Sequence, residues 1–150
     1  MGGFSSIDEI LEFAIAREVE AHAFYMSLAD RVDNPAMGEL ILEFAKEELQ
    51  HKANLELEVM KSGKVVVEPE KLTDFDISNY LGDIEYRPDM DYKDLLLLAI
   101  DKEKMAFRLY VVLAGMADDK DAHNCLISLA EEEARHKALF EIEYNEVASR

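Results

Sequence analysis

A single cysteine, Cys125, is present among the 150 residues, which excludes an intrachain disulfide framework and a metal site built from four cysteines. Long apolar runs are also missing, so no segment is expected to span a bilayer. Residues 1–6 lack the basic and apolar regions of a secretory signal peptide. Together these absences predict a protein of the reducing cytoplasm.

Basic residues are scarce as well, because 16 lysines and arginines stand against 33 aspartates and glutamates and leave a formal net charge of -17. A field of this sign repels phosphate backbones and anionic lipid headgroups. Nucleic acid and membranes are therefore not expected as partners. Most of the acidic residues are expected to form solvated helix faces, and only acids in the interior require another explanation.

The chain length favours a single domain, residues 1–150, with one hydrophobic core. Four segments carry apolar residues at the alternating spacings that are typical of amphipathic helices. They form two predicted helical hairpins, at about residues 5–62 and 91–148, joined by a connection at 63–90 without sustained helical periodicity. Short links join antiparallel neighbours, whereas this long connection allows helices 2 and 3 to run parallel. The predicted fold is an all-α four-helix bundle with one long crossover.

The two predicted hairpins are related by an internal repeat. A shift of 85 positions aligns them without a gap. The aligned identities include Leu11 with Leu96, Ala14 with Ala99, Glu18 with Glu103, Tyr25 with Tyr110, Glu47 with Glu132, Glu48 with Glu133 and His51 with His136. A pseudo-twofold axis between two such hairpins is expected to bring matching residues together at one place.

Six positions that complete the inward apolar stripes carry polar residues instead: Glu18, Glu48, His51, Glu103, Glu133 and His136. Each Glu-x-x-His motif places its two side chains on one helix face, about one turn apart. Four ionised carboxylates in an apolar core are costly, whereas their charge neutralises two divalent cations. We therefore expect a dinuclear metal site that Glu48 and Glu133 bridge. Glu18 and Glu103 each complete one coordination sphere with a histidine, and the sequence leaves the pairing open. The donor set favours iron or manganese, and zinc is also compatible.

Further polar residues surround these six positions. Tyr25 and Tyr110 lie about two turns beyond Glu18 and Glu103 on the same stripes. Their hydroxyls are expected to hydrogen-bond ligand carboxylates, although an ordinary core role suits them nearly as well. Four residues that flank the stripes are expected to be exposed and are given no role: His22, His123, Glu47 and Glu132.

The chain resembles the rubrerythrin and ferritin-like diiron-carboxylate family, in particular its erythrin domain, on four short segments: Glu18 with Tyr25, Glu48-Leu49-Gln50-His51, Glu103 with Tyr110, and Glu133-Ala134-Arg135-His136. The resemblance spans nearly the whole chain outside the connection. It implies a ferritin-like fold and a nonhaem centre of two iron ions. Members of such a family reduce peroxide to water, or oxidise ferrous iron with oxygen or peroxide.

Two departures from the family pattern bear on the expected activity. Ala106 lies one turn after Glu103, where classical rubrerythrins carry a further glutamate that takes part in a redox-linked change of iron ligation. Its absence weighs against a peroxidase in particular. The chain also lacks a rubredoxin-like set of cysteines, so the reductant is expected to be a separate electron donor, such as a rubredoxin-type protein.

The leading hypothesis is a nonhaem diiron oxidoreductase that acts on hydrogen peroxide or dioxygen. A ferroxidase that handles iron for storage uses the same ligands and is the first alternative. The second alternative is a non-enzymatic interaction or sensing module, in which the metal only holds the hairpins together and the outer aromatics Phe13 and Phe24 bind a partner. A homodimer is expected from the resemblance and from these aromatics, which are also suited to pack beneath the connection.

Overall fold

A computed structural model describes residues 7–60, 75–117 and 119–150 of the chain. Within these ranges the chain forms four long α-helices and one short 3-10 helix, and no β-strand is present. The helices are α1 (Ile7–Ala29), α2 (Pro35–Met60), α3 (Tyr92–Met116) and α4 (Lys120–Ala148), with the 3-10 helix at Ile77–Tyr80 between α2 and α3. The predicted all-α fold is confirmed. The early part of the predicted connection lies outside the described residues.

Short polar side chains determine where three of the helices begin. The Asn34 side chain accepts a hydrogen bond from the N–H of Ala36 at 2.9 Å, directly before α2. Asp91 caps α3 and forms a reciprocal capping box with Asp94. Asp119 caps α4 by accepting a hydrogen bond from the N–H of Ala122 at 3.0 Å. Each cap satisfies a backbone N–H that has no partner within the first turn of its helix.

Hydrogen bonds between the hairpins define the direction of the helices. Tyr25 of α1 donates to Glu103 of α3, and Tyr110 of α3 donates to Glu18 of α1. The earlier residue of α1 thus contacts the later residue of α3, and the later residue of α1 contacts the earlier one. These two helices are therefore antiparallel. Because the short turn at residues 30–34 also makes α2 antiparallel to α1, α2 and α3 run parallel. The long crossover between helices 2 and 3 is thus present as predicted.

The apolar core is divided into two clusters at opposite ends of the bundle. Leu11 and Leu126 belong to the cluster near the start of α1. Phe44 and Phe140 belong to the other cluster, where their ring centroids lie 5.3 Å apart in an edge-to-face arrangement. Between the clusters, each helix contributes polar residues, and this polar layer is the candidate site.

The described part of the connection, residues 75–90, lies against α1 and α3. The Asp101 carboxylate of α3 accepts hydrogen bonds from the N–H groups of Asp83 and Ile84, at 2.9 and 3.1 Å. Between α1 and the connection, Arg17 donates to the carbonyl of Leu81 at 3.3 Å. Gly82 has a φ of +92°, and a Cβ atom there would lie 2.5 Å from an oxygen of Asp101, so a glycine is required for this approach.

None of the described helices combines the length and the apolar character that a membrane span requires.

Candidate metal centre

The polar layer brings together all six residues that interrupt the inward stripes. Glu18, Glu48, His51, Glu103, Glu133 and His136 are each at most 1% exposed. Their positions follow from helical periodicity, because a residue on the inward stripe is buried whatever its side chain. Four carboxyl groups and two imidazoles therefore share one interior site between two apolar clusters.

Two groups of four ligand atoms can be distinguished in this site, and within each group all the atoms lie within 4.8 Å of one another. One group consists of Glu18, Glu48, His51 and Glu133. The other consists of Glu48, Glu103, Glu133 and His136. Glu48 and Glu133 belong to both groups, which is the arrangement that two bridging carboxylates require. The geometry also pairs His51 with Glu18 and His136 with Glu103, a pairing that the sequence left open.

Both histidines point the same ring nitrogen into the site. His51 Nδ1 lies 3.1 Å from Glu133 and 3.5 Å from Glu18. His136 Nδ1 lies 3.1 Å from Glu48 and 3.5 Å from Glu103. Each imidazole thus approaches the shared glutamate of the opposite hairpin, so the two halves are interlocked at the site. The Nε2 atoms face outward from it.

Many buried donor and acceptor atoms of the site make no hydrogen bond within the described part of the chain. They number eight: Glu18 Oε2, both carboxylate oxygens of Glu48, both ring nitrogens of His51, Glu103 Oε2, Glu133 Oε1 and His136 Nδ1. A buried polar atom without a partner costs about 1–3 kcal/mol. Carboxylate oxygen and imidazole nitrogen are ligands that suit iron, manganese and zinc. The residues therefore fit a pair of divalent metal ions.

Burial and mutual repulsion retain protons on this cluster. Burial, with repulsion from Glu103 and Glu18, raises the pKa of Glu133 to about 8. Burial and repulsion from Glu133 likewise raise the pKa of Glu48 well above its usual value. Burial alone lowers the pKa of His51, but the carboxylates of Glu133 and Glu18 outweigh it and raise the value to about 11. The metal-free cluster consequently binds protons, which metal ions displace when they bind.

The two tyrosines connect each hairpin to the carboxylate of the other. Tyr25 and Tyr110 are fully buried, and each hydroxyl donates to the glutamate that lies opposite, Glu103 and Glu18 respectively. Burial and the neighbouring carboxylates raise the pKa of both hydroxyls well above the usual value for tyrosine. Both tyrosines therefore remain protonated donors, and each leaves one oxygen of its glutamate directed at the site.

The expectation that Glu47 and Glu132 are exposed side chains without a role was wrong. Glu47 lies 2.9 Å from His136 Nε2, and Glu132 lies 3.2 Å from His51 Nε2. These carboxylates approach the outward nitrogens of the histidines from the opposite helix. Their identity at equivalent positions of the repeat was the signal that could have assigned them.

His22 and His123 also differ from the prediction, because both are only partly exposed and bind backbone. His22 Nδ1 lies 2.9 Å from the carbonyl oxygen of Ala45, and His123 Nδ1 lies 2.7 Å from that of Ala114. Each joins the two helices of one hairpin. They lie outside both groups of ligand atoms and have a structural role.

A cavity of about 50 Å³ reaches the site from the side of α1, α3 and the connection. Its walls include the four buried glutamates, Glu18, Glu48, Glu103 and Glu133. Ala21 and Ala106, which are equivalent in the repeat, also line it. Ala106 leaves open the volume that a longer side chain would occupy. A cavity of this size admits molecules of the size of water or dioxygen.

The aromatics considered as an outer surface, Phe13 and Phe24, are partly buried against the two core clusters. Arg17 covers the Phe13 ring at 5.4 Å from its centroid, and Lys102 covers Phe24 at 5.5 Å. Packing within the chain therefore accounts for both residues.

The sequence model of the rubrerythrin family matches residues 9–144, a range that contains all six buried residues of the polar layer, both tyrosines and both outer glutamates. The chain belongs to the rubrerythrin family. No curated protein matches it. Membership in the rubrerythrin family agrees with the fold and with a buried cluster compatible with two iron ions.

Two solved structures are similar to this rubrerythrin-family chain. A hypothetical protein from Pyrococcus furiosus has 29% sequence identity and a TM-score of 0.73, over 93% of this chain and 89% of that chain. A dodecameric thioferritin, the bacterioferritin-related protein from Bacteroides fragilis, has 20% identity and a TM-score of 0.74, over 95% of this chain and 86% of that chain. At this lower identity the likeness shows the ferritin-like fold alone.

Proposed function

We propose that this protein is a nonhaem diiron oxidoreductase that reduces hydrogen peroxide or dioxygen. The observation that carries the proposal is the pair of ligand groups sharing Glu48 and Glu133, together with a cavity that reaches them. Two ferrous ions supply one electron each when bound, which matches the two electrons and two protons that convert one hydrogen peroxide into two water molecules.

Charge balance supports two divalent ions at this site. Four carboxylates that are each at most 1% exposed would repel one another in the apolar core, and two divalent cations offset their combined charge. Iron is the metal that the family and the ligands favour, and manganese or zinc can occupy the same donor set. We propose Glu18 and His51 as terminal ligands of one ion, and Glu103 and His136 as those of the other.

The surrounding residues fix these ligands and limit access. Tyr25 and Tyr110 hold Glu103 and Glu18 by hydrogen bonds, and Glu132 and Glu47 face the outward nitrogens of His51 and His136. Such outer partners orient metal ligands and increase their basicity. The alanines of the cavity, Ala21 and Ala106, present only methyl groups, so a small oxidant can approach without displacing a side chain.

The reductant and the assembly are part of the same proposal. A separate electron donor, such as a rubredoxin-type protein, returns the ions to the ferrous state, because the only cysteine of this chain is Cys125. We propose a homodimer as the functional form.

Single-turnover kinetics test the oxidant. Metal-free protein is loaded anaerobically with two ferrous ions per chain and mixed in a stopped-flow instrument with equal concentrations of hydrogen peroxide or dioxygen. We expect ferric absorbance to appear faster in the loaded protein than with free iron. If the protein is a peroxidase, hydrogen peroxide should oxidise the bound iron faster than dioxygen does. The proposal is contradicted if neither oxidant reacts faster with the loaded protein than with iron in buffer.

A ferroxidase is the second candidate, and Ala106 is the observation that favours it. Classical rubrerythrins carry a glutamate at this position, and Ala106 leaves an open cavity wall instead. The Bacteroides fragilis relative, a dodecameric thioferritin, shows a large assembly on this fold. Faster oxidation by dioxygen, together with a large shell on a sizing column, would favour a ferroxidase. A dimer that reacts faster with peroxide would exclude iron storage in such a shell.

A further inference from the structure

The outer carboxylates of the two histidines differ in their surroundings. Glu47 binds His136 Nε2 and also accepts two hydrogen bonds from the guanidinium of Arg135, one of them at 2.7 Å. Glu132 lies 3.2 Å from His51 Nε2, and its ion pairs within the described ranges include no lysine or arginine. One carboxylate therefore has a cation beside it, and the other has no lysine or arginine partner within the described ranges.

This difference originates from a single position of the repeat. Arg135 corresponds to Gln50 when the hairpins are aligned by 85 positions. Gln50 is neutral, and its side-chain amide donates to Asn54 at 3.1 Å. The first hairpin thus lacks the cation that the second hairpin places beside its outer carboxylate.

We infer that the two metal positions are unequal, and that the position of Glu18 and His51 binds a divalent cation more tightly than the position of Glu103 and His136. A carboxylate beside the outward nitrogen increases the basicity of a metal-bound imidazole. Arg135 weakens this effect for His136 and also repels a cation directly. Glu132 and Glu47 are positioning residues, and Arg135 makes them unequal. The inference rests on the proposed dinuclear site.

The lengths of the two contacts act in the opposite direction, but they are the smaller effect. His136 Nε2 is hydrogen-bonded to Glu47 at 2.9 Å, whereas Glu132 lies 3.2 Å from His51 Nε2 without the geometry of a hydrogen bond. A change of this size alters a Coulomb energy by only about a tenth. A guanidinium bound to the same carboxylate offsets a large part of its charge, so the effect of Arg135 outweighs the shorter contact.

Cobalt titration of the metal-free protein tests the inference without any measurement of activity. Co²⁺ binding is followed by d–d absorbance and by calorimetry, and we expect two steps whose constants differ by more than the statistical factor for identical sites. Glu132→Gln should weaken the tighter step by about tenfold, and Glu47→Gln should weaken the looser step instead. These opposite assignments identify which position fills first.

Exchange of the residues at the asymmetric position is the decisive comparison. Arg135→Gln gives the second hairpin the residue of the first, and should tighten the looser step by about threefold, a size appropriate to a partly exposed ion pair. Gln50→Arg should weaken the tighter step by a similar factor. The side chains of Arg135 and Glu132 are 48% and 40% exposed, so these variants are expected to fold, which circular dichroism verifies.

Each outcome is informative. Two unequal binding steps in the parent protein, with constants that become more similar in Arg135→Gln, support the inference. Equal steps in the parent protein, or unequal steps that neither exchange alters, overturn it and leave the dinuclear site intact. Failure of the folded parent protein to bind two cobalt ions contradicts the proposed site itself, and the inference with it.

Discussion

The two hairpins of the bundle are identical in the residues of the polar layer and differ at several positions around it. In the polar layer they present the same glutamates, histidines and tyrosines at positions 85 residues apart. Around this layer, Arg135 corresponds to Gln50, and Asp101 corresponds to Ala16. Arg135 binds Glu47, and Asp101 binds the connection. The two halves thus share the residues of the polar layer, whereas these two differing positions make contacts that only the second hairpin has.

Substitution of a shared glutamate should weaken metal binding more than any other change, because both proposed metal positions use it. We expect Glu48→Gln and Glu133→Gln to weaken binding of both ions by more than the roughly 10–100-fold that an outer residue contributes. Glu18→Gln should weaken only one ion. Cobalt titration measures all three variants, with the exposed Glu43→Gln as a control. Parental binding of two ions by Glu48→Gln would show that the carboxylates are not shared.

The pH dependence of the stability of the metal-free protein should reveal the cost of burying these ionisable groups between the hairpins. The raised pKa values of Glu133, about 8, and His51, about 11, mean that the folded protein binds more protons than the unfolded chain above their ordinary values of 4.5 and 6.5. The free energy of unfolding should therefore fall as pH rises from 5 to 8. The pKa of Glu18 is lowered despite its burial, so its ionised form stabilises the fold above pH 4.5, and this contribution is lost only as the pH falls below that value.

Urea unfolding in the presence of a chelator measures this slope. The Glu133→Gln variant should have a shallower slope, because its amide does not titrate. Added divalent metal should reverse the loss at pH 8, since it replaces the protons. A stability that rises across this range in the metal-free protein would contradict the account.

Substitution of the tyrosines compares the halves directly. Tyr25→Phe and Tyr110→Phe each remove a hydrogen bond to the glutamate of the other hairpin. We expect each to lower metal affinity by about tenfold, and by similar amounts because the two contacts are equivalent. Tyr92→Phe removes a hydrogen bond to Glu143 outside the site and serves as the control. An effect confined to one tyrosine would show that the hairpins are unequal in their inner contacts as well.

Substitution of two glycines should have the smallest effects, and the two changes in the free energy of unfolding should have opposite signs. Gly82→Ala forces a side chain into a φ of +92° and against Asp101, so it should destabilise the protein by about 1–2 kcal/mol. Gly115→Ala introduces a methyl group into open space on α3, and should stabilise the protein by about 0.5–1 kcal/mol. Urea unfolding of the metal-loaded protein measures both. Equal stability of the two variants would show that Asp101 does not hold the connection.

Sequence periodicity was sufficient to predict the helices and the burial of the six polar residues that form the candidate site. A stripe of apolar residues interrupted at matching places in two hairpins leaves few alternatives, because each interrupting side chain must be buried. Position along the stripe also placed Tyr25 and Tyr110 near the ligands. It did not show that each tyrosine contacts the opposite hairpin, since that contact depends on how closely α1 and α3 approach.

The contacts that the sequence did not reveal all join parts of the chain that are distant in sequence. Glu47 and Glu132 lie beside the stripes, and their contacts with histidines exist only because α2 and α4 pack closely. Asp101 acts on a connection without regular periodicity, whose backbone path a sequence pattern does not specify. Such contacts between distant parts of the chain leave no local signal, although the matching glutamates of the repeat were a partial one.

Anaerobic titration of the metal-free protein with ferrous iron tests the central claim most directly. We predict saturation at two ions per chain, loss of both ions in Glu48→Gln, and unchanged saturation in Glu43→Gln. Saturation at one ion per chain, or undiminished binding in Glu48→Gln, would contradict a single dinuclear site built jointly by the two hairpins.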